Sequence, residues 1–258
     1  MTQRSNFDSE TIIKKLVDHY GLPAFLFSIN SSNTFDLNIN TKPISVILIS
    51  YSEYPNLSAI TGEKPGIFIL EDHWRSTEHI IASKISWHLK LHEKIDARVC
   101  SVIEISAIDA EQFLAKNHLM QYAMAKYHYG LIHEKQIYAV ASFSHGRKMR
   151  RLPEGKLGYE LIRFATIPHV SITGGLSKLI NCFAKEHSPG DLMTYVDPLN
   201  GEIHGLTKLG FKKTENTKPI LLHVNTKVHL RVRENKAKEK NVVDFYNLGN
   251  VKLVKSFL

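Results

Sequence analysis

Residues 160–211, ELIRFATIPHVSITGGLSKLINCFAKEHSPGDLMTYVDPLNGEIHGLTKLGF, form one continuous run of strand, glycine turn, helix, strand and short helix. Leu161, Ile162, Phe164 and Ala165 are a short apolar block closed by Pro168, which predicts a buried strand rather than a helical stripe. Thr173-Gly174-Gly175 then precedes Leu176, Leu179, Ile180 and Phe183, whose spacing predicts an amphipathic helix over 176–186. Without side chains at Gly174 and Gly175, backbone N–H groups at the helix start are open to an anion, which the helix dipole favours. Leu192–Val196 is the second strand, ending at Asp197-Pro198. Ile203, Leu206 and Leu209 belong to a short helix that Gly210 stops, and Phe211 opens the next strand.

Outward from this stretch, 258 residues with 43% hydrophobic and 22% charged content describe a globular chain large enough for two domains. A formal charge of +8 points to an anionic partner, DNA or another nucleic acid ahead of a membrane surface. Cys100 and Cys182 lack cysteine neighbours, so neither a zinc site nor a redox pair is expected. The N-terminus lacks a signal-peptide pattern and no 18 apolar residues run together, which predicts a cytoplasmic protein.

Residues 9–20 predict a helix capped by Ser9 and ended by Gly21. Strands follow at 24–29, 44–50 and 66–70, then a helix at 76–91. Glu71-Asp72-His73 invites a metal reading, but consecutive residues at a strand end point apart, and no metal site is expected. Residues 95–105 predict a strand, 109–116 a helix with a start signal at Ser106, and 125–131 with 136–144 a hairpin. Four cations in Gly146–Arg151, namely Arg147, Lys148, Arg150 and Arg151, suit nucleic-acid phosphates, as does Arg163 on the following strand. The tail 225–240 begins as a strand with one basic face and continues as a linker.

The order of 160–211, with Lys208-Leu209-Gly210-Phe211 at its end, resembles the second half of the GNAT fold, the acyl-CoA-dependent N-acetyltransferases. Residues 160–164, 174–179, 194–197 and 208–211, with Ile69–Trp74, Ile80–Ile85, Phe113-Leu114 and Asn117–Leu119 upstream, are similar to phage proteins in which a very-short-patch-repair-like endonuclease domain precedes a GNAT-like domain. The resemblance spans about residues 66–224 and implies an α+β chain: a GNAT-like mixed sheet flanked by helices, preceded by a small truncated α/β endonuclease-like domain. The expected division is 1–92, 93–234 and a basic C-terminal segment, 235–258. The resemblance further implies acetyl-CoA or another acyl-CoA at Thr173, Gly174, Gly175, Leu176, Ser177 and Lys178, with His118, Tyr195 and Asp197 near the reacting centre. Two departures stand out. Leu206 occupies a position where the family often carries a proton-donating tyrosine, and the turn lacks the usual basic residue before a Gly-x-Gly pattern. In the N-terminal region Asp36, Lys42 and Glu53 do not form the alternating acid and lysine set that holds a nuclease metal. Two functions therefore remain open. One is a transferase acting on a nucleic-acid base or an amine, akin to the Mom type of DNA-modification protein. The other is a non-catalytic DNA-binding relative of a mobile-element endonuclease.

Overall fold

The computed structural model describes residues 6–39, 43–62, 66–199, 203–232 and 240–258, which form two compact units. Lys42, Asn200 and the linker part of the tail, 233–239, lie outside the described residues. The first unit joins 1–90 to 218–249, and the second joins 91–217 to 250–258. This arrangement differs from a simple sequential division, because the chain crosses between units three times.

The first unit begins with α1 (Ser9–Asp18), whose N-cap is Asp8 rather than the expected Ser9: the Asp8 carboxylate accepts from Thr11 N at 2.8 Å. Strands β1 (Phe27–Ser31), β2 (Thr34–Leu37) and β3 (Ile44–Ile49) are an antiparallel meander. After the short helix α2 (Leu57–Thr61), β4 (Ile67–Leu70) pairs parallel to β3. Helix α3 (Glu71–His88) starts five residues before its predicted position and kinks at Thr77. That early start buries Glu71 and Asp72. Asp72 accepts from Tyr54 Oη at 2.5 Å and Arg231 Nε at 3.0 Å, while Glu71 accepts from Tyr51 N and Arg75 Nε. These acids are therefore committed to internal pairs, and among the described residues no group of three His, Cys, Asp or Glu is placed to hold a metal.

The second unit opens with β5 (Glu93–Asp96), a 3₁₀ turn at Ala97–Val99 and β6 (Ser101–Glu104), where the sequence predicts one continuous strand. Helix α4 (Ala107–Asn117) is capped by Ser106, whose hydroxyl accepts from Asp109 N at 3.0 Å. Strands β7 (Tyr127–His133) and β8 (Gln136–Phe143) form the predicted hairpin, turned by Glu134 and Lys135, both at positive φ as a primed turn requires. The two-residue β9 (Arg147–Lys148) follows, then β10 (Leu157–Thr166). Strand β11 (Val170–Thr173) was expected as part of a turn; it pairs parallel to β5, a partner no local pattern reveals. Helix α5 (Gly175–His187), β12 (Asp191–Val196), α6 (Ile203–Lys208) and β13 (Lys212–Asn216) complete the organising stretch.

From Lys218 the chain builds β14 (Leu221–Asn225), β15 (Leu230–Val232) and β16 (Val242–Tyr246) in the first unit, then returns as β17 (Val251–Ser256). The excursion is closed by Thr217 N donating to Asn250 O and Asn250 N donating to Thr217 Oγ1, both at 2.8 Å. The main sheet has the order β13-β17-β12-β10-β8-β7-β6, with β9 beside β10. Its last strand in sequence, β17, thus lies between β12 and β13. Against one face packs α5, burying Phe183, Leu179 and Ile180 among Leu131, Phe143, Leu161 and Leu192. Phe183 stacks on Phe143 with centroids 4.1 Å apart. Against the other face packs α4, through Ala110 and Leu114 on Val140 and Ala165.

Candidate functional site

Strands β10 and β12 run parallel but pair only through Gly158–Asp191, Tyr159–Leu192 and Glu160–Met193. Beyond that, 161–166 and 194–196 have no ladder between them, so the sheet splits along its middle. Two features produce the split. A bulge between Leu161 and Arg163 redirects β10 against β8. At the fork, Thr194 Oγ1 donates to Leu161 O at 2.9 Å, replacing the lost backbone partner.

Helix α5 is oriented by its own sequence pattern. Near its C-terminal end Phe183 and His187 lie against Tyr159, at the paired end of β10. Its N-terminus therefore lies toward the end at which the split opens. There Gly174 adopts φ +77° as the N-cap, without a side-chain cap, and the first intrahelical bond is Lys178 N to Gly174 O. The N–H groups of Gly175, Leu176 and Ser177 precede that bond and have no intrahelical acceptor. The two glycines serve different ends. At Gly174 a Cβ would meet nothing closer than the Ala97 methyl at 3.8 Å, so the turn is open. At Gly175 a Cβ would fall 3.0 Å from Ile172 and 3.1 Å from Leu131, so this glycine permits close packing.

Among the residues expected around this turn, Thr173 is exposed at the end of β11, Leu176 packs into the core and Ser177 is half-buried. Lys178 is directed elsewhere: its ammonium donates to Ala97 O at 2.8 Å and Cys100 O at 2.6 Å, fastening the 3₁₀ turn. The cation beside the turn is instead Arg98, adjacent to Ala97, exposed and held by Asp96 at 2.9 Å. Sequence reasoning missed Arg98 in this role because it lies on a segment brought over by the β5–β11 pairing.

On the opposite face, His118 follows α4 and its Nδ1 accepts from Met120 N at 3.0 Å. Burial, reinforced by the nearby Arg163 charge, pushes the imidazole down to about 4, so it is neutral at pH 7. Arg163, half-buried, donates to Gln121 O and Ile162 O. Glu160 was not expected as a site residue. It is half-buried at the fork, and burial raises its carboxyl despite Arg147 and Arg163 nearby. Beside it Ser144 Oγ accepts from Glu160 N, and His128, buried, shares a 2.8 Å hydrogen bond between Nδ1 and Ser142 Oγ. Tyr195 is 40% exposed. The parallel register and strand alternation put it on the same face as Glu160, across the split. Asp197 accepts from Leu199 N at 2.9 Å and so shapes the turn after β12. Leu206 packs against the core, in keeping with its hydrocarbon side chain. Arg147, Lys148, Arg150 and Arg151 are all exposed, and Arg151 is anchored to Asp191 at 2.7 Å.

No protein-family profile matches the sequence, and no curated protein matches it. Similar solved structures are acetyltransferases of the GNAT family. A GNAT acetyltransferase from Elizabethkingia anophelis with acetyl-CoA bound is 13% identical with a TM-score of 0.39, covering 62% of this chain and 99% of its own. Arabidopsis thaliana Naa50 in complex with a bisubstrate analogue is 12% identical with a TM-score of 0.41, covering 62% and 99%. The ribosomal-protein-S18-alanine N-acetyltransferase from Escherichia coli is 13% identical with a TM-score of 0.39, covering 61% and 93%. The chain has a mixed α/β fold. No described helix is long and apolar enough to cross a membrane.

Proposed function

We propose that the second unit is an acyl-CoA-dependent N-acyltransferase, and the observation that carries this is the split between β10 and β12 opening beside the uncapped start of α5. The edges of 161–166 and 194–196 that face each other, unlike their edges toward β8 and β17, carry no ladder and offer hydrogen-bond partners to an extended chain bearing amides. The amides of Gly175, Leu176 and Ser177 face the place for its phosphates, and the open Gly174 turn admits them. Bound there, an acyl-CoA supplies the activated acyl group as a thioester. The acceptor, an amine of a nucleic-acid base or another amine, approaches from the face of Glu160. Glu160, its carboxyl raised by burial, would take the proton from the neutral amine nitrogen as it adds to the acyl carbon, with the CoA thiolate as the leaving group, and Tyr195 would flank the acceptor. Neutral His118, with its low basicity, holds the loop after α4 by accepting from Met120 N rather than taking the proton. Asp197 keeps the end of β12 in shape.

The same proposal takes the first unit as a nuclease-like remnant related to very-short-patch-repair-like domains. Its β1–β3 meander with parallel β4 supports this, and Asp36 accepts from Ser45 Oγ at 2.7 Å without a second acid beside it. Magnesium-dependent plasmid cleavage that disappears in Asp36→Asn would contradict it.

Calorimetry with CoA and acetyl-CoA tests the transferase. Ser177→Glu places a carboxylate on the helix start, where it competes with phosphate while leaving the fold intact. Saturable binding lost in this variant supports the proposal; no binding to the wild type at millimolar ligand overturns it and favours the DNA-binding accessory function.

A further inference from the structure

The face of the main sheet opposite α5 is covered unevenly. Helix α4 lies over β7, β8 and β10, and no described helix of the second unit covers the β12-β17-β13 side. On that uncovered side strand alternation presents Met193 and Tyr195, and Lys252 stands opposite Tyr195 in the register of β17. Asp191 belongs to the same alternation, is 3% exposed and holds Arg151 through Nε and Nη2, each at 2.7 Å. This pair fastens the 146–152 loop to the rim of the platform. Two of the platform's cations are neutralised, Arg151 by Asp191 and Lys252 by Glu215 at 2.6 Å. Arg147, Lys148 and Arg150 make no ion pair within 4.0 Å among the described residues and are exposed. Arg147 registers with Gly158, two residues from Glu160 on the same face, whereas Lys148 registers with Leu157 and belongs to the α5 side.

We propose that this platform binds single-stranded nucleic acid, its phosphates over Arg147 and Arg150 and one base against Tyr195. Cations on a rim attract phosphates through counterion release, and an exposed tyrosine beside them offers an aromatic face to a base. A single strand is favoured over a duplex because Tyr195 sits in the sheet surface itself. No described helix or ribbon of the second unit projects from that face into a groove, so a base must already be unstacked to reach the ring. Asp191 is a positioning residue that holds the loop through Arg151. The surface rests on the acyl-transfer proposal only in placing the base beside Glu160; binding itself is independent of acyl-CoA.

Fluorescence anisotropy of the full chain with a labelled oligothymidylate of about 12 nucleotides, in the range of single-strand sites, is the test, without CoA present. Affinity is expected to fall with salt, and the double variant Arg147→Gln, Arg150→Gln to lower the log–log salt slope by about 1.4. Tyr195→Ala is expected to weaken binding about 10-fold with the slope unchanged, the loss of one stacked base. Asp191→Asn is expected to weaken binding and reduce the slope, with Arg151→Gln reproducing it; an effect on melting temperature alone would remove Asp191 from the proposal. Equal affinity for duplex, full affinity in Tyr195→Ala, or displacement by polyglutamate as effective as by oligonucleotide would overturn the single-strand assignment. Oligonucleotide binding without CoA binding would leave this surface standing while the transferase proposal falls, and the converse result would do the opposite.

Discussion

The two faces of the main sheet in the second unit are built from the same strands and do opposite things. Under α5 the inward residues are Leu131, Phe143, Leu161, Phe183 and Leu192, nearly all fully buried. On the other face the alternate residues of those strands include His128, Ser142, Glu160 and Arg163. One face is saturated with dispersion contacts and excludes water. The other holds polar groups, His128 and Ser142 buried between β7 and β8 and Glu160 and Arg163 half-buried on β10. A strand's period of two lets adjacent residues such as Glu160 and Leu161 serve chemistry and packing without compromise.

The sharpest way to break the first face is Phe183→Ala. Phe183 is fully buried and stacked, so truncation should cost about 3–5 kcal/mol and appear as a lower midpoint in urea unfolding. On the other face Glu160→Gln should lower kcat/KM by about 100-fold in an acyl-transfer assay, as expected for loss of a general base. Its effect on stability should have the opposite sign. The raised folded-state pKa means that Glu160 contributes stability at low pH that is lost as pH rises through that pKa, so the neutral variant should be more stable at pH 7.

His118 gives a smaller, pH-dependent effect. Its folded pKa is depressed to about 4, so the unfolded chain binds the extra proton first. Stability should therefore be complete above about pH 6.5, the unfolded value, and decline toward pH 4, by roughly 2 kcal/mol. His118→Gln should flatten that part of the acid-unfolding profile. The smallest effect belongs to Ser177→Glu, where a negative charge in the first turn of α5 should raise stability by about 0.5 kcal/mol while abolishing CoA binding. A fall in melting temperature in this variant would mean that lost binding reports misfolding.

Much of the organising stretch was legible locally. The spacing of Leu179, Ile180 and Phe183 specifies α5 because a helix buries residues three and four apart, and Gly174 marks its start because only an unhindered residue adopts φ +77° readily. Tyr195 entered as a candidate only through the resemblance to the GNAT fold, and its 40% exposure is seen only in the folded chain. Glu160 was not singled out. Its significance comes from burial, Arg147, Arg163 and a strand that stops pairing at that residue. Lys178 beside the glycine turn suggested a phosphate contact, and only the folded chain shows its ammonium on the carbonyls of Ala97 and Cys100.

By itself the amino-acid sequence determined α5, the flanking strands β10 and β12, the β7–β8 hairpin and the glycine turn, because hydrophobic period and chain stops act within a few residues. Tertiary structure alone decided that β17 inserts between β12 and β13, that residues 218–249 leave for the first unit, that β11 finds β5, and that β10 parts from β12 at Glu160. Strand pairing is a contest between edges far apart in the chain. Its outcome depends on which backbone groups and faces remain unsatisfied once the core has formed, and no local pattern carries that information.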